Sequence, residues 1–389
     1  MKRMKIQMAR RKEIKELYYI RAIAAFGILL IHASAGFAVN SEFGSKAMYL
    51  GIFLNQFFRF GSPIFMMVSG LVLFYNYRSM EEFDTKKFYT KKVKFIIVPY
   101  ILWSIIYFFY RTYIYGLPIN RERLLKFGTE ILLGESFSHL YFIFLIFQFY
   151  IILPFLIKYL TKYMKERPIS LFSIFFIFQG AILIYGYYFK DSNATGIVRT
   201  FNLYYWKTIF GWSFYFMAGG LIGMHYDRFV EFIDKNINKL FIGYILVTCF
   251  YVGQVYYNIW INGGRDYYGR FGSIRPHTMV YAIFTMPILI WITRKMVGRF
   301  ELLKNFGTYS LGIYFAHPLV LEELKRQLLG RFPNSIGFSR LSSLIIICGL
   351  GLALSFLLVI LVGVLNNRWM LIGKVPKYRF GVSRKGEYA

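Results

Sequence analysis

The sequence predicts an all-α, polytopic transmembrane helix bundle of about ten spans, forming one domain over residues 1–389, and three observations predict it. The chain is 57% hydrophobic and 21% aromatic with 17% charged residues, whereas about a quarter of a soluble domain is charged. Its apolar residues fall into runs of roughly 18 or more, the length needed to cross about 30 Å of hydrocarbon. Its 47 Lys and Arg residues lie mostly between those runs, where loop charges set membrane orientation.

The runs place spans at Leu17–Val39, Met48–Tyr75, Val93–Tyr115, His139–Leu160, Ile169–Phe189, Trp206–Met224, Leu240–Trp260, Met279–Val297, Gly307–Glu322 and Ser342–Leu365. The first follows a basic tail (1–16) carrying Lys2, Arg3, Lys5, Arg10, Arg11, Lys12 and Lys15. Ala33-Ser34-Ala35 would also suit signal-peptide cleavage, but the run outlasts a signal core, holds Arg21 one turn inside and leads into more membrane, so it reads as a retained span. Charged segments near 76–94, 158–168, 225–239 and 294–304 then alternate with less basic ones. The tenth span is followed by a second basic tail (367–389) with Arg368, Lys374, Lys377, Arg379, Arg384 and Lys385. Together the tails and those four segments hold roughly 30 Lys and Arg against roughly 15 on the other side, which predicts both termini in the cytoplasm.

A net charge of +28 invites a nucleic-acid reading. No zinc-finger spacing, RNA-binding aromatic motif or separate basic domain accompanies it, so the charge is read as orientation and no nucleic-acid partner is expected. Cys249 and Cys348 are isolated inside predicted spans and give neither a disulfide framework nor a metal cluster. No metal and no tightly bound cofactor is expected. The loops near 116–138 and 261–278 are too short to fold alone, so any chemistry sits in the bundle or at its mouths.

Arg21 and His32 are eleven residues apart in the first span, about three turns, so they share a face with a rise of about 16 Å between them. With Arg21 near the cytoplasmic interface, His32 lies deep in the bilayer, where an ionisable group must face protein or water and is a functional candidate. A neutral imidazole there suits general-base work on a hydroxyl, and a guanidinium below it can hold an anion. In the second span Asn55, Arg59, Ser62 and Ser69 lie within an arc of about 80°. Pro63 is expected to free a backbone carbonyl, and Ser69-Gly70 to allow close helix approach. Ser310, Tyr314 and His317 form a second stripe in the ninth span. His139 and His277 are placed near the outer surface and His225 near the inner one. Acids are nearly absent at membrane depth, which argues against a proton-driven pump.

These residues resemble the membrane acyltransferases called acyltransferase family 3. The resemblance rests on five segments in order: Glu16-Leu17-Tyr18-Tyr19-Ile20-Arg21 with His32; Arg59-Phe60-Gly61-Ser62-Pro63 through Ser69-Gly70; Val98-Pro99-Tyr100-Ile101-Leu102-Trp103; His139-Leu140-Tyr141-Phe142; and Tyr309-Ser310-Leu311-Gly312-Ile313-Tyr314-Phe315-Ala316-His317-Pro318. It implies a bacterial plasma-membrane enzyme that moves an acyl group, most often acetyl, from acyl-CoA to a hydroxyl of a cell-envelope glycan or related small molecule. His32, Arg21 and Arg59 would then be catalytic, and Asn55, Ser62, Ser69, His139, Tyr314 and His317 would bind substrate. Many members carry two arginines before the third-span proline; here Lys91, Lys92 and Lys94 stand at shifted positions, with Phe95 beside them, and would take the donor's phosphates as point charges. Some members carry a fused extracytoplasmic esterase-like domain. None is read here, so a separate outer partner is expected if the acyl group is handed on outside. Some proteins with these motifs are read instead as polysaccharide exporters.

Overall fold

The computed structural model describes residues 11–191, 193–262 and 272–331, together with 337–376, the side chain of Asn262 excepted. Lys2, Arg3, Lys5 and Arg10 of the first tail, and Lys377, Arg379, Arg384 and Lys385 of the last, lie outside the described residues. Among the described residues all regular structure is helical: α1 (Glu16–Asn40), α2 (Lys46–Phe57), α3 (Gly61–Asn76), α4 (Thr85–Lys92), α5 (Val98–Tyr115), α6 (Arg121–Leu133), α7 (Tyr141–Glu166), α8 (Pro168–Ile184), α9 (Gly196–Tyr204), α10 (Ser213–Met224), α11 (Tyr226–Asn262), α12 (Pro276–Met296), α13 (Glu301–Thr308), α14 (Ser310–Arg331), α15 (Leu341–Gly363) and α16 (Trp369–Ile372).

Eight stretches of the described residues are long and apolar enough to cross a membrane, and they match the predicted spans one to five, seven, eight and ten. The sixth is the apolar helix α10, only 12 residues long. The ninth, α14, carries Glu322, Glu323, Lys325 and Arg326 in its second half. Bonds between the helix ends nevertheless show that both run from one end of the bundle to the other. At the end predicted to be cytoplasmic, Arg11 pairs with Glu82 at 2.8 Å, Tyr226 donates to Glu16, Arg294 pairs with Asp234 at 2.8 Å, and Tyr309 donates to the carbonyl of Pro376 at 3.1 Å. At the other end Ser41 donates to Phe338 O at 2.6 Å, Tyr256 donates to Tyr49 O at 2.8 Å, and Lys207 pairs with Glu135. α10 runs between Lys207, held at the outer set, and His225, whose Nε2 meets Met164 O at 2.7 Å in the inner set. α14 runs between Tyr309 at the inner end and Glu322, which accepts from Tyr115 at the outer end of α5 at 3.2 Å.

α1 is the central pillar, packed against α2, α3, α12, α13, α14 and α15. That position explains its small and medium residues: Ala22, Ala24, Ala25 and Ala33 are buried, and large side chains there would hold neighbours apart. The closest helix pair is α3 with α10. A Cβ on Gly70 would fall on the backbone of Phe216, and one on Gly219 on the backbone of Met67, so both positions admit only glycine. The close approach expected of Ser69-Gly70 is therefore present.

One local expectation needs correcting, and one is present in a definite form. The segment near 225–239 was expected as a loop; it is the first part of α11, interrupted at Asn236 (φ −120°, ψ 15°). Its charges are interleaved with Phe229, Val230, Ile233 and Ile237, which pack on the core at helical spacing. In the second span the axis is broken by a 3-10 turn at Phe58–Phe60 just before Pro63. Pro63 cannot donate to Arg59 O, and Ser273 Oγ reaches that carbonyl at 3.5 Å.

Candidate active site

Arg21 and His32 each retain some open surface although dense protein surrounds both. On α1, His32 lies sixteen residues from Glu16 and eight from Asn40, about 24 Å and about 12 Å along the helix, so it belongs to the outer half of the bundle.

The two polar stripes meet at His32. Its ring centre is 5.2 Å from that of His317 on α14, and His317 is 5.5 Å from His139, which stands just before α7. His139 was expected near the outer surface; it is instead 3% exposed, walled by Tyr107 at 5.4 Å, Tyr314 at 5.0 Å and Phe137 at 5.8 Å between ring centres. The hydroxyl of Tyr314 donates to the backbone carbonyl of His139 and so fixes the residue from below. His317 Nδ1 lies 3.0 Å from Ile313 O. A carbonyl only accepts, so Nδ1 carries the proton and Nε2 presents a lone pair. That Nε2 is buried without a hydrogen-bond partner, as are both ring nitrogens of His139; the Phe315 backbone approaches His139 but outside bonding geometry. Leaving such atoms unpaired costs about 1–3 kcal/mol each. Buried orphans of this kind, three in one cluster, mark a place built to bond something besides the protein.

Positive charge surrounds the cluster. Lys325 donates to the carbonyl of His32 at 2.8 Å, and the cations whose charge reaches His32 are Arg59 and Lys325. Arg59 Nη2 bonds Asn55 Oδ1 at 2.5 Å, while Asn55 Nδ2 bonds Ile31 O at 2.9 Å, the carbonyl next to His32. Asn55 is thus a fully buried strut that sets α2 against α1 and aims Arg59. Tyr141, on the first turn of α7, lies within electrostatic reach of Arg59. Ser62 is half-buried one turn beyond Arg59. Ser69 does not join the cluster: its hydroxyl bonds Phe65 O of its own helix at 2.9 Å.

At the inner end Arg21 lies near Tyr18 and Tyr150. The ammonium of Lys92 sits 4.3 Å above the Tyr150 ring, which places Arg21 and Lys92 around one aromatic side chain. The three lysines do not form a single cradle. Lys94 turns away to Trp369, 4.8 Å from its ring. Lys91, with Asp84, Lys86, Lys87 and Thr90, lines a surface depression of about 380 Å³. Phe95 stacks edge-on against Trp369 at 6.2 Å. Among the described residues no group of three His, Cys, Asp or Glu side chains is placed to hold a metal ion. His277 stays half-buried against Tyr187 and Phe250, away from the cluster.

Lys325 is the site residue that sequence reasoning missed, because the ninth span was ended at Glu322. The available signal was its separation of eleven residues from Tyr314, the same three-turn spacing that joins Arg21 to His32. Tyr107, whose hydroxyl bonds Phe315 O at 2.7 Å while its ring walls His139, left no signal beyond an aromatic in an apolar run.

The profile of the family described as an acyltransferase domain matches residues 14–360. A "probable poly-beta-1,6-N-acetyl-D-glucosamine export protein" of Staphylococcus aureus strain MSSA476 is 27% identical over 314 residues, covering 79% of this chain and 83% of the relative. A protein with the same description from Staphylococcus epidermidis is 25% identical over 353 residues, covering 88% and 92%. No solved structure matches the chain.

Proposed function

The chain belongs to acyltransferase family 3 and is a multi-pass bacterial membrane enzyme; from that premise we propose that it moves an acyl group from acyl-CoA, most simply acetyl, to a hydroxyl of a cell-envelope glycan. The observation that carries this reading is the convergence of His32, His317 and His139 with Arg59 and Lys325 in the outer half of the bundle.

The chemistry follows from those groups. His32 takes the proton of the acceptor hydroxyl as its oxygen attacks the thioester carbonyl. Arg59 and Lys325 set a fixed positive field where the tetrahedral oxyanion forms, the arrangement that lowers such barriers most. The carbon–sulfur bond then breaks and the imidazolium returns the proton to the departing thiolate, leaving an ester and free CoA. The unpaired nitrogens of His139 and His317 suit hydrogen bonds to sugar hydroxyls.

The donor's phosphates would lie at the inner mouth against Arg21 and Lys92, about 16 Å below His32 along α1, a gap for the flexible pantetheine arm. Lys91 and Lys94, which point elsewhere, would contribute through general positive charge only. The acceptor would enter from outside, since His32 is nearer that end. The descriptions of the staphylococcal relatives favour poly-beta-1,6-N-acetyl-D-glucosamine or a similar amino-sugar polymer as the acceptor class.

Those descriptions also favour a second reading, export of such a polymer without acyl transfer. Proteoliposomes holding radiolabelled acetyl-CoA in the lumen and presented with the glycan outside separate the two. Label recovered covalently on the glycan supports the enzyme; movement of glycan with no label transferred to any hydroxylated acceptor supports export.

A further inference from the structure

A pocket lined by charged residues lies on the outer face, and none of the three clustered histidines lines it. It has a volume of about 220 Å³, and its walls are the end of α5, the inward face of α6 and the loop before α7: Phe108, Arg111, Arg123, Lys126, Glu130 and Ser136, with Leu117 at the turn between α5 and α6.

The sequence of α6 explains why the pocket exists. Leu124, Leu125 and Leu132 project together from one side of the helix and are 51%, 64% and 73% exposed, an apolar stripe suited to the membrane interface. Arg123, Lys126 and Glu130 take the other side and face the pocket. α6 therefore turns an apolar stripe outward by one face and closes a charged pocket with the other. Arg123 is already positioned, bonded to Thr112 Oγ1 at 2.7 Å and stacked 4.9 Å over Phe108. Arg111 and Lys126 form no salt bridge with any described residue. Three cations against the single carboxylate of Glu130 leave an excess of two positive charges. A separate feature points to an occupant: Ser136, 2% exposed, lines the pocket with a hydroxyl that has no hydrogen-bond partner.

We propose that this pocket binds an acidic group, a phosphate or a carboxylate, of a molecule held at the outer face. Arg111 and Lys126 supply the charge, Arg123 a preset guanidinium and Ser136 the neutral donor. The same short loop continues from Ser136 through Phe137, whose ring stacks on Tyr107 at 4.1 Å, to His139. An occupant is thus held three residues from His139 on the loop that carries it.

The test reads binding and not acyl transfer, so its failure is separate from failure of the proposed enzyme reading. The full chain is placed in nanodiscs of phosphatidylcholine, and its melting temperature is followed as phosphatidylglycerol is added to the bilayer or glycerol phosphate to the buffer. The wild type should be stabilised by one of the two, and R111Q/K126Q should lose that shift while R111K/K126R keeps it. A response to phosphatidylglycerol alone assigns the acidic group to a lipid headgroup; a response to glycerol phosphate assigns it to a soluble acid. If neither anion stabilises the wild type, or if R111Q/K126Q responds as the wild type does, the proposal is overturned. Should R111Q/K126Q fail to fold, S136A takes its place, and an undiminished shift in that variant overturns the role given to the buried hydroxyl.

Discussion

The ring of His317 stands 5.2 Å from the ring of His32, although one belongs to the first membrane crossing and the other to the ninth. Helix periodicity puts each residue on a polar stripe, and the fold turns the stripes towards each other. α1 sits at the centre of the bundle, so whatever its polar face carries is offered to α14 and α2 rather than to lipid. His139 extends the pair to a chain of three rings, and Arg59 and Lys325 surround it with positive charge.

The role of His317 can be separated from its packing. His317→Phe keeps an aromatic ring 1% exposed in the core but removes the unpaired Nε2. Acyl transfer should fall by roughly 10²-fold or more, in the range of a lost proton-handling or hydroxyl-binding group. Folding should be preserved, as size-exclusion of the detergent-solubilised protein would show. Undiminished transfer would reduce His317 to a packing residue.

Lys325 is anchored on His32, beside the proposed oxyanion position. Its ammonium holds the His32 carbonyl at 2.8 Å, and a charged hydrogen bond of this kind contributes about 1.5–3 kcal/mol. Lys325→Met should lower kcat roughly tenfold or more while leaving KM for the donor nearly unchanged, because the phosphates are held about 16 Å away. Lys325→Arg should recover part of the loss. An effect confined to donor KM would contradict this placement.

The packing of α3 on α10 gives a test of the fold alone. At Gly219 even one methyl would collide with the Met67 backbone, which cannot move as a side chain tip would. Gly219→Val should cost about 3 kcal/mol or more, by the overpacking mechanism, and should be read as loss of folded protein in a thermal-stability assay. Gly128→Ala on α6, where nothing lies in the way, should be nearly neutral.

An asymmetric pair of variants tests the outer ion pair. Lys207 is 2% exposed at its side chain, whereas Glu135 is 44% exposed. Glu135→Ala strands a buried ammonium and should destabilise by a few kcal/mol, at the low end of the about 3–5 kcal/mol for a broken buried pair because the carboxylate is partly solvated. Lys207→Met leaves only an exposed carboxylate and should cost less. Equal effects in thermal denaturation would mean that the pair, rather than the buried charge, sets the stability.

The crossings were legible because hydrocarbon sets their length, and Arg21 to His32 was legible because three turns of helix return a side chain to the same face. The charge alternation also grouped helix ends by side, the segment near 225–239 being part of a helix rather than a loop: Arg11 meets Glu82 and Tyr226 meets Glu16 on one side, while Ser41 meets Phe338 on the other. Contacts between distant segments were not legible. His139 looked like a surface residue because it follows a polar loop, yet Tyr107 and Tyr314 enclose it. Lys325 looked like a loop residue because acids precede it, yet α14 continues to Arg331 and brings its ammonium back to α1. The lysines near 91–94 looked like one cluster in sequence, but residues two apart on a helix point to nearly opposite sides, so Lys92 meets Tyr150 and Lys94 meets Trp369.

The central claim is that His32 handles the proton of the acceptor hydroxyl. The direct measurement is the single-turnover rate of label transfer from radiolabelled acetyl-CoA to glycan by His32→Ala in proteoliposomes, with the amount of folded protein matched to wild type. The rate should fall by roughly 10²- to 10⁴-fold, the contribution of a positioned general base. Transfer at the wild-type rate by folded His32→Ala would contradict the account.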